Sequence, residues 1–298
     1  MIDILVIGSG PAGMSAALYG KRAGLSVTIL EKNFYGIGQI AESSEVDNYI
    51  GMPKMNGYEM GQKFREHVDS LGVEFADGEA VAFEKLAEGW QVALKDGEPL
   101  LAKSVIYAAG AKHRHLGAEN EEAFIGRGVS YCATCDGAFY RGKQVAVIGG
   151  GDTALNDAVY LSDICEKVYL IHRRAEFRGA VATVNKLQEL DNVELVTNAE
   201  IVKVLGEEMV TGVQLKDGKV LDVSGVFVAV GMEPMTECLQ GVVDLDKQGY
   251  VIADETGVTT AEGFFVAGDV RTKMLRQVVT AVSDGANAAT VAAEYCRV

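Results

Sequence analysis

IDILVIGSGPAGMSAALYGKRAGLSVTILE, residues 2–31, reads in one pass as strand, glycine turn, helix and strand. The Ile, Val and Leu runs at its two ends are continuous, not alternating, as in strands buried on both faces of a parallel sheet. Gly8-Ser9-Gly10-Pro11-Ala12-Gly13 is a G-x-G-x-x-G turn between the first strand and the helix. Gly8 permits the tight turn, Gly10 leaves room for a pyrophosphate, and Gly13 lets helix and strand pack closely. The helix start offers free N–H groups and the positive end of its dipole to phosphates. Glu31 ends the second strand, where a carboxylate accepts hydrogen bonds from a ribose hydroxyl. Strand, turn, helix and acid agree on a dinucleotide site.

The same sentence is written again further along. KQVAVIG is a strand, GGD a turn, TALNDAVYLSD a helix and KVYLIHRR the next strand. Each copy also has a closing strand that ends in glycine, KSVIYAAG at Gly110 and SGVFVAVG at Gly231. The second turn, Gly149-Gly150-Gly151-Asp152-Thr153-Ala154, is G-x-G-x-x-A. The 23 positions that separate Gly8 from Glu31 lead from Gly149 to His172, which is followed by Arg173, Arg174 and Arg178. An acid there repels a ribose 2′-phosphate, whereas a guanidinium pairs with it. The second copy is therefore expected to bind NADPH, and the first, with Glu31, an unphosphorylated adenosine such as that of FAD.

After Gly231 comes a turn-rich stretch with MEPMTE, then strands around GYVIAD and GFFVAGDV, then an Ala-rich helix from about Arg276. No third glycine turn follows, so this tail is expected to complete the first domain. The fold expected is α/β, with two Rossmann-like dinucleotide-binding domains. The FAD domain is discontinuous, residues 1–112 and 243–298, and the NADPH domain, residues 113–242, is inserted into it.

Composition narrows the function. The chain has 298 residues with a formal net charge of −15, which argues against general nucleic-acid affinity, since phosphate-backbone binding needs a basic face. The first strand begins at Ile2 and apolar runs are well short of the ~18 residues that span a bilayer, so neither a leader nor a membrane partner is expected. A cytoplasmic location is expected.

There are five cysteines. Cys165, Cys238 and Cys296 stand alone in apolar segments and read as core. Cys132-Ala133-Thr134-Cys135 is a C-x-x-C just before the second glycine turn. Structural zinc takes four ligands and no second pair exists, so no metal is expected and thiol–disulfide chemistry is the better reading. One thiolate attacks a substrate disulfide and the other resolves the mixed disulfide. The residues alone leave open which does which. Asp136 follows directly, a carboxyl group suited to give or take a proton as the dithiol cycles.

Taken in order, GSGPAG, Gly38-Gln39, DNYIG with Asn48, AAGA, CATCDG, GGGDTA, HRRAEFR, GFFVAGDV and Arg276-Gln277 resemble the low-molecular-weight thioredoxin reductases over nearly the whole chain. A C-x-x-C in the NADPH domain is particular to that family; glutathione reductase and lipoamide dehydrogenase carry theirs in the FAD domain. The resemblance implies that Gly38, Gln39, Asn48, Asp269, Arg276 and Gln277 line the FAD site. Gly8, Gly10, Pro11, Ala12, Gly13, Glu31 and Gly110 complete it. It implies that Gly149, Gly151, Asp152, Thr153, Ala154, His172, Arg173, Arg174 and Arg178 bind NADPH. It further implies that Cys135 faces the flavin, Cys132 attacks thioredoxin and Asp136 is the acid/base. Hydride would pass from NADPH to FAD, and electrons from there to the Cys132–Cys135 disulfide and the partner. A homodimer and a rotation between domains, hinged near Ala111–Arg114 and Gly241–Asp246, are implied as well.

Two stretches depart from the family's pattern. The usual G-G-Q turn is one residue longer, Gly36-Ile37-Gly38-Gln39, and the two aromatics that follow CDG in many relatives are Ala138 and Phe139. The alternatives are a reductase of another disulfide carrier, an oxidase of small dithiols, and a non-catalytic redox nucleotide sensor.

Overall fold

The computed structural model describes residues 1–33, 36–43 and 45–297. In chain order it begins with β1 (Ile2–Ile7), α1 (Pro11–Arg22), β2 (Val27–Glu31), α2 (Gly57–Ser70), β3 (Glu74–Asp77) and β4 (Ala80–Leu86). Next come β5 (Gly89–Leu94), β6 (Leu100–Tyr107), β7 (Ala111–His113), β8 (Val129–Ser130), α3 (Ala133–Asp136) and β9 (Gln144–Ile148). They are followed by α4 (Asp152–Ser162), β10 (Lys167–His172), α5 (Val181–Gln188), β11 (Val193–Thr197), β12 (Ile201–Gly206) and β13 (Val210–Leu215). The chain closes with β14 (Val220–Leu221), β15 (Gly225–Val228), β16 (Met232–Pro234), β17 (Phe264–Val266) and α6 (Val278–Tyr295). It folds as two compact units: Met1–Lys112 together with Glu233 to the C-terminus, and His113–Met232 between them.

In the first unit β3, β2, β1, β6 and β17 run parallel. The long strand β6 shares its second edge between two neighbours. Antiparallel β5 pairs with its first half (Leu100 to Ala102) and β17 with its second (Val105 to Tyr107). Residues of β1 alternate between two cores, Ile4 and Val6 on one face, Leu5 and Ile7 on the other. That double burial is why the strand reads as a continuous apolar run, each side chain contributing roughly 1.5–3 kcal/mol.

Helix α1 begins at Pro11, a residue suited to the first helical turn because its missing N–H would have had no partner there. Helix α6 lies against it so closely that a Cβ on Gly285 would stand 2.0 Å from the Ala12 carbonyl oxygen. The Ala-rich composition of α6, with Ala281, Ala288, Ala289 and Ala292 all buried, is what permits this approach. Beside it a charge cluster is buried whole. Asp284 accepts from Arg271 Nε at 2.9 Å, Arg271 Nη2 at 2.7 Å, Lys273 Nζ at 2.8 Å and the Gly268 N–H at 3.0 Å.

In the second unit β11, β10, β9, β15 and β8 form a sheet that is parallel throughout. A separate antiparallel sheet of β12, β13 and β14 covers one face through Val204, Val213 and Leu221. Helices α4 and α5 cover the other through Leu155, Leu161 and Leu187.

Two expectations are corrected. The chain returns to the first unit at Met232/Glu233, not at 242/243, so the Gly241–Asp246 stretch lies within that unit and is no connector. Packing explains the difference: Tyr107 Oη donates to the Met235 carbonyl at 2.6 Å, and Leu239 and Val243 share a core with Leu5 and Val266. The strand expected around GYVIAD is reduced to isolated bridges of Val251 to Leu245 and to Arg271. The outgoing crossing lies at Lys112/His113.

Candidate active site

Parallel strands put all their carboxyl ends on one edge, and in open α/β sheets ligands bind outside that edge where the strand order reverses. In the first unit the reversal is at β1. Gly8–Gly13 follow β1, Glu31 ends β2, Gly110 follows β6 and Asp269 follows β17. Gly8 has a φ of +99° and lies so close to Ala108 that a Cβ would sit 2.7 Å from its carbonyl oxygen. A Cβ on Gly13 would meet the Gly8 carbonyl at 1.9 Å, so both ends of the turn admit glycine alone. Gly38, at a φ of +79°, packs backbone to backbone on Gly10, and the Gly36–Gln39 stretch thereby reaches the glycine turn.

Glu31 is tied to the same turn. Its Oε2 accepts from the Ser9 N–H at 2.9 Å and the Ser9 hydroxyl at 2.7 Å, and its Oε1 from the Asn33 N–H at 2.9 Å. Asn48 and Gln277, distant in sequence, are joined by a 2.9 Å hydrogen bond from Asn48 Nδ2 to Gln277 Oε1. Arg276 stacks its guanidinium over Tyr250 at 4.1 Å and donates to the Asp269 carbonyl at 3.3 Å. Asp269 itself holds a buried Oδ1 with no hydrogen-bond partner, 4.0 Å from Lys273 Nζ. Burial raises its pKa, against the pull of Lys273 and Arg276. A buried carboxylate oxygen without a donor, beside a glycine turn at a strand-order reversal, fits a polyhydroxylated dinucleotide such as FAD.

In the second unit the reversal is at β9, followed by Gly149–Ala154 at the start of α4. Here Ala154 replaces the last glycine of the motif, and its methyl occupies the space that a Cβ on Gly149 would need. A Cβ on Gly151 would meet nothing within 4 Å, so the turn is open above that residue. Asp152 is occupied: its Oδ1 accepts the Ala180 N–H at 2.7 Å and ties the turn to the start of α5. Thr153 is exposed. Arg173, Arg174 and Arg178 are also exposed, and among the described residues none has an acidic ion-pair partner, in a chain of net charge −15. Unpaired guanidiniums beside an open glycine turn fit a 2′-phosphorylated dinucleotide.

His172 does not join that cluster. It is 5% exposed, its ring lies under Gly150 and stacks on Phe177 at 5.3 Å, and Nε2 has no hydrogen-bond partner. Burial lowers its pKa, as do the charges of Arg178, Arg174 and Arg173. The sequence resemblance places His172 among the NADPH-binding residues; in the structure its ring is buried and supports the turn from below.

Strand β8 is the outer neighbour of β15 in this sheet, two places from β9 or about 10 Å. Its carboxyl end leads into Cys132, so the cysteine pair and the second glycine turn leave the same edge. Cys132 and Cys135 form a disulfide. Asp136 ends α3, half-buried, with Oδ2 accepting from the Ser130 hydroxyl at 2.6 Å and Oδ1 buried without a partner. Burial pushes its pKa up and the Ser130 hydrogen bond pulls against that.

Just before the pair, Tyr131 stacks on His113 at 4.7 Å and donates to Glu121 Oε1 at 2.9 Å. Glu121, 2% exposed, also accepts the N–H groups of Leu116 and Gly117, at 2.9 Å each. Neither Ser130 nor this Tyr131 cluster was legible as part of the site. A serine two residues before a C-x-x-C is the one signal available, because its hydroxyl can reach a nearby backbone N–H. Among the described residues no group of His, Cys, Asp and Glu is placed to hold a metal ion.

The chain belongs to the pyridine nucleotide-disulphide oxidoreductase family, whose model matches residues 2–285, and within it to the low-molecular-weight thioredoxin reductases. The thioredoxin reductase of Mycoplasma genitalium is 38% identical over 292 residues, 96% of this chain and 92% of that protein. The crystal structure of thioredoxin reductase from Streptococcus pyogenes, 38% identical, superposes with a TM-score of 0.94 over all of this chain and 98% of the other. Thioredoxin reductase from Giardia duodenalis, 31% identical, gives 0.93 over 100% and 99%.

Proposed function

We propose that this protein uses NADPH to reduce the disulfide of thioredoxin through Cys132 and Cys135. The observation that carries the reading is the placement of that disulfide on the sheet edge that also bears an open glycine turn and three unpaired arginines. NADPH and FAD, when bound, supply the electron pair that opens the Cys132–Cys135 bond. In the first unit Gly8–Gly13, Glu31, Gly38, Gln39, Asn48, Gly110, Asp269, Arg276 and Gln277 hold FAD. In the second, Gly149–Ala154 with Arg173, Arg174 and Arg178 hold NADPH.

The remaining chemistry belongs to the chain. The Cys132 thiolate attacks one sulfur of the thioredoxin disulfide, forming a mixed disulfide and releasing the other sulfur as a thiolate. Cys135 attacks Cys132 in turn, which restores the internal disulfide and frees the second thiol of the partner. Two thiols are oxidised and two are formed. Asp136 moves the proton, giving it to a departing thiolate and taking it from an attacking thiol. The reading includes a homodimer acting in the cytoplasm.

Differential thiol labelling tests it. In holoenzyme treated anaerobically with NADPH, both Cys132 and Cys135 become labelled, while Cys165, at 6% exposure, stays protected. Labelling that NADPH leaves unchanged would remove the disulfide from the electron path.

A further inference from the structure

We propose that Ser130 is a positioning residue for proton transfer: its hydroxyl holds Asp136 Oδ2 as an acceptor and so confines the exchangeable proton to Oδ1. The inference rests on the reading of Asp136 as proton carrier.

Ser130 closes β8, immediately ahead of the cysteine loop. Its Oγ accepts the Cys132 N–H at 3.1 Å and donates to Asp136 Oδ2 at 2.6 Å. A hydroxyl has one hydrogen to give. The other acceptor in reach, the Cys132 carbonyl, is at 3.4 Å, the outer limit of a hydrogen bond. A separation of 2.6 Å is that of a hydroxyl donating to a carboxylate, so the hydrogen goes to Asp136. An oxygen that accepts this bond is not the oxygen that carries the acid proton. Oδ1, buried and without a hydrogen-bond partner among the described residues, is left to take the proton and release it. One side chain thus fixes both the backbone of Cys132 and the protonation site of the acid.

No other charged group is among the influences on Asp136, although α4 carries a half-buried carboxyl of its own, Asp157, whose pKa burial raises to about 6. The two influences on Asp136 are burial, which raises its pKa, and the Ser130 bond, which lowers it. Tyr140, in the turn after α3, is pushed up to about 12 by burial and the Asp136 charge, and so is neutral. Helix α4 faces this turn with Tyr160 and Leu161, which surround Gly137 together with Ile164 just beyond the helix end. Among the described residues no ion pair reaches Asp136.

The test is the pH profile of disulfide reduction by holoenzyme, with Asp136→Asn identifying the limb that belongs to Asp136. Ser130→Ala removes a hydrogen bond to the charged form and moves that limb up by about one to two pH units. Ser130→Thr, which keeps the hydroxyl, brings it back. A limb that stays in place while kcat falls overturns the proposal and leaves Ser130 a purely structural residue. An Asp136→Asn enzyme with the wild-type profile instead overturns the reading of Asp136 itself.

A second measurement needs no Ser130 variant. The infrared carboxyl stretch of protonated Asp136, assigned by difference from Asp136→Asn, has the lowered frequency of a C=O that accepts a hydrogen bond. A stretch at the frequency of a free C=O contradicts the proposal even if Ser130→Ala does not fold.

Discussion

At the scale of single residues, three buried side-chain atoms lack hydrogen-bond partners among the described residues: Asp136 Oδ1, His172 Nε2 and Asp269 Oδ1. Buried polar groups are nearly always satisfied, so an orphan at a sheet's carboxyl edge marks a place where something else binds or reacts. Two of the three are residues singled out in the sequence for roles they can still play. The third, His172, lies beneath its turn because a count of positions cannot tell an outward side chain from an inward one. His113 illustrates how burial near the site sets stability. Desolvation, helped by His115, lowers its pKa from 6.5 to about 4. The unfolded chain therefore takes up a proton first as pH falls below 6.5. The stabilisation is complete above 6.5 and is lost progressively down to about 4. His113→Phe keeps the stack on Tyr131 but cannot titrate. Wild-type stability is expected to fall by an amount of order 3 kcal/mol across that window, and the variant's by much less. Equal losses in urea melts of the two proteins would exclude this role for His113.

At the scale of elements, both strand–turn–helix units were legible because each strand is buried on two faces and each turn needs glycines for a spatial reason. The cysteine pair was legible for its chemistry but not for its place. Only the parallel pairing of β8 with β15 brings it to the edge that carries Gly149–Ala154. The stretch after Gly231 was less legible, since Met235, Gly241 and Tyr250 lie in turns whose composition is the same packed or free. The packing of this stretch, Met235 on Tyr107 and Leu239 and Val243 beside Leu5, depends on residues far away in sequence. The second glycine turn yields its own prediction. Replacing Arg173 and Arg174 together by Ala removes charge-assisted bonds to a 2′-phosphate, each worth roughly 1.5–3 kcal/mol. KM for NADPH is expected to rise by about 100-fold or more, with the value for NADH nearly unchanged. Parallel losses for both nucleotides would assign the arginines to the fold and not to the phosphate.

At the scale of the whole molecule, one architecture is used twice and the two uses are separated by local chemistry. Glu31 is anchored on Ser9 in the first unit, whereas Arg173, Arg174 and Arg178 stand unpaired in the second. The division of the chain follows from this nesting, since the last β-strand and α6 return to complete the first sheet and its core. No helix among the described residues is long and apolar enough to cross a membrane. The proposed route takes electrons from NADPH through the Cys132–Cys135 pair to thioredoxin. It is tested most directly by following NADPH oxidation by the holoenzyme with oxidised thioredoxin, using wild type and Cys135→Ser. Rapid, thioredoxin-dependent oxidation by wild type is expected, with none by the variant even though NADPH still bleaches its flavin absorbance. Undiminished thioredoxin reduction by Cys135→Ser, or NADPH oxidation by wild type that ignores thioredoxin, would contradict it.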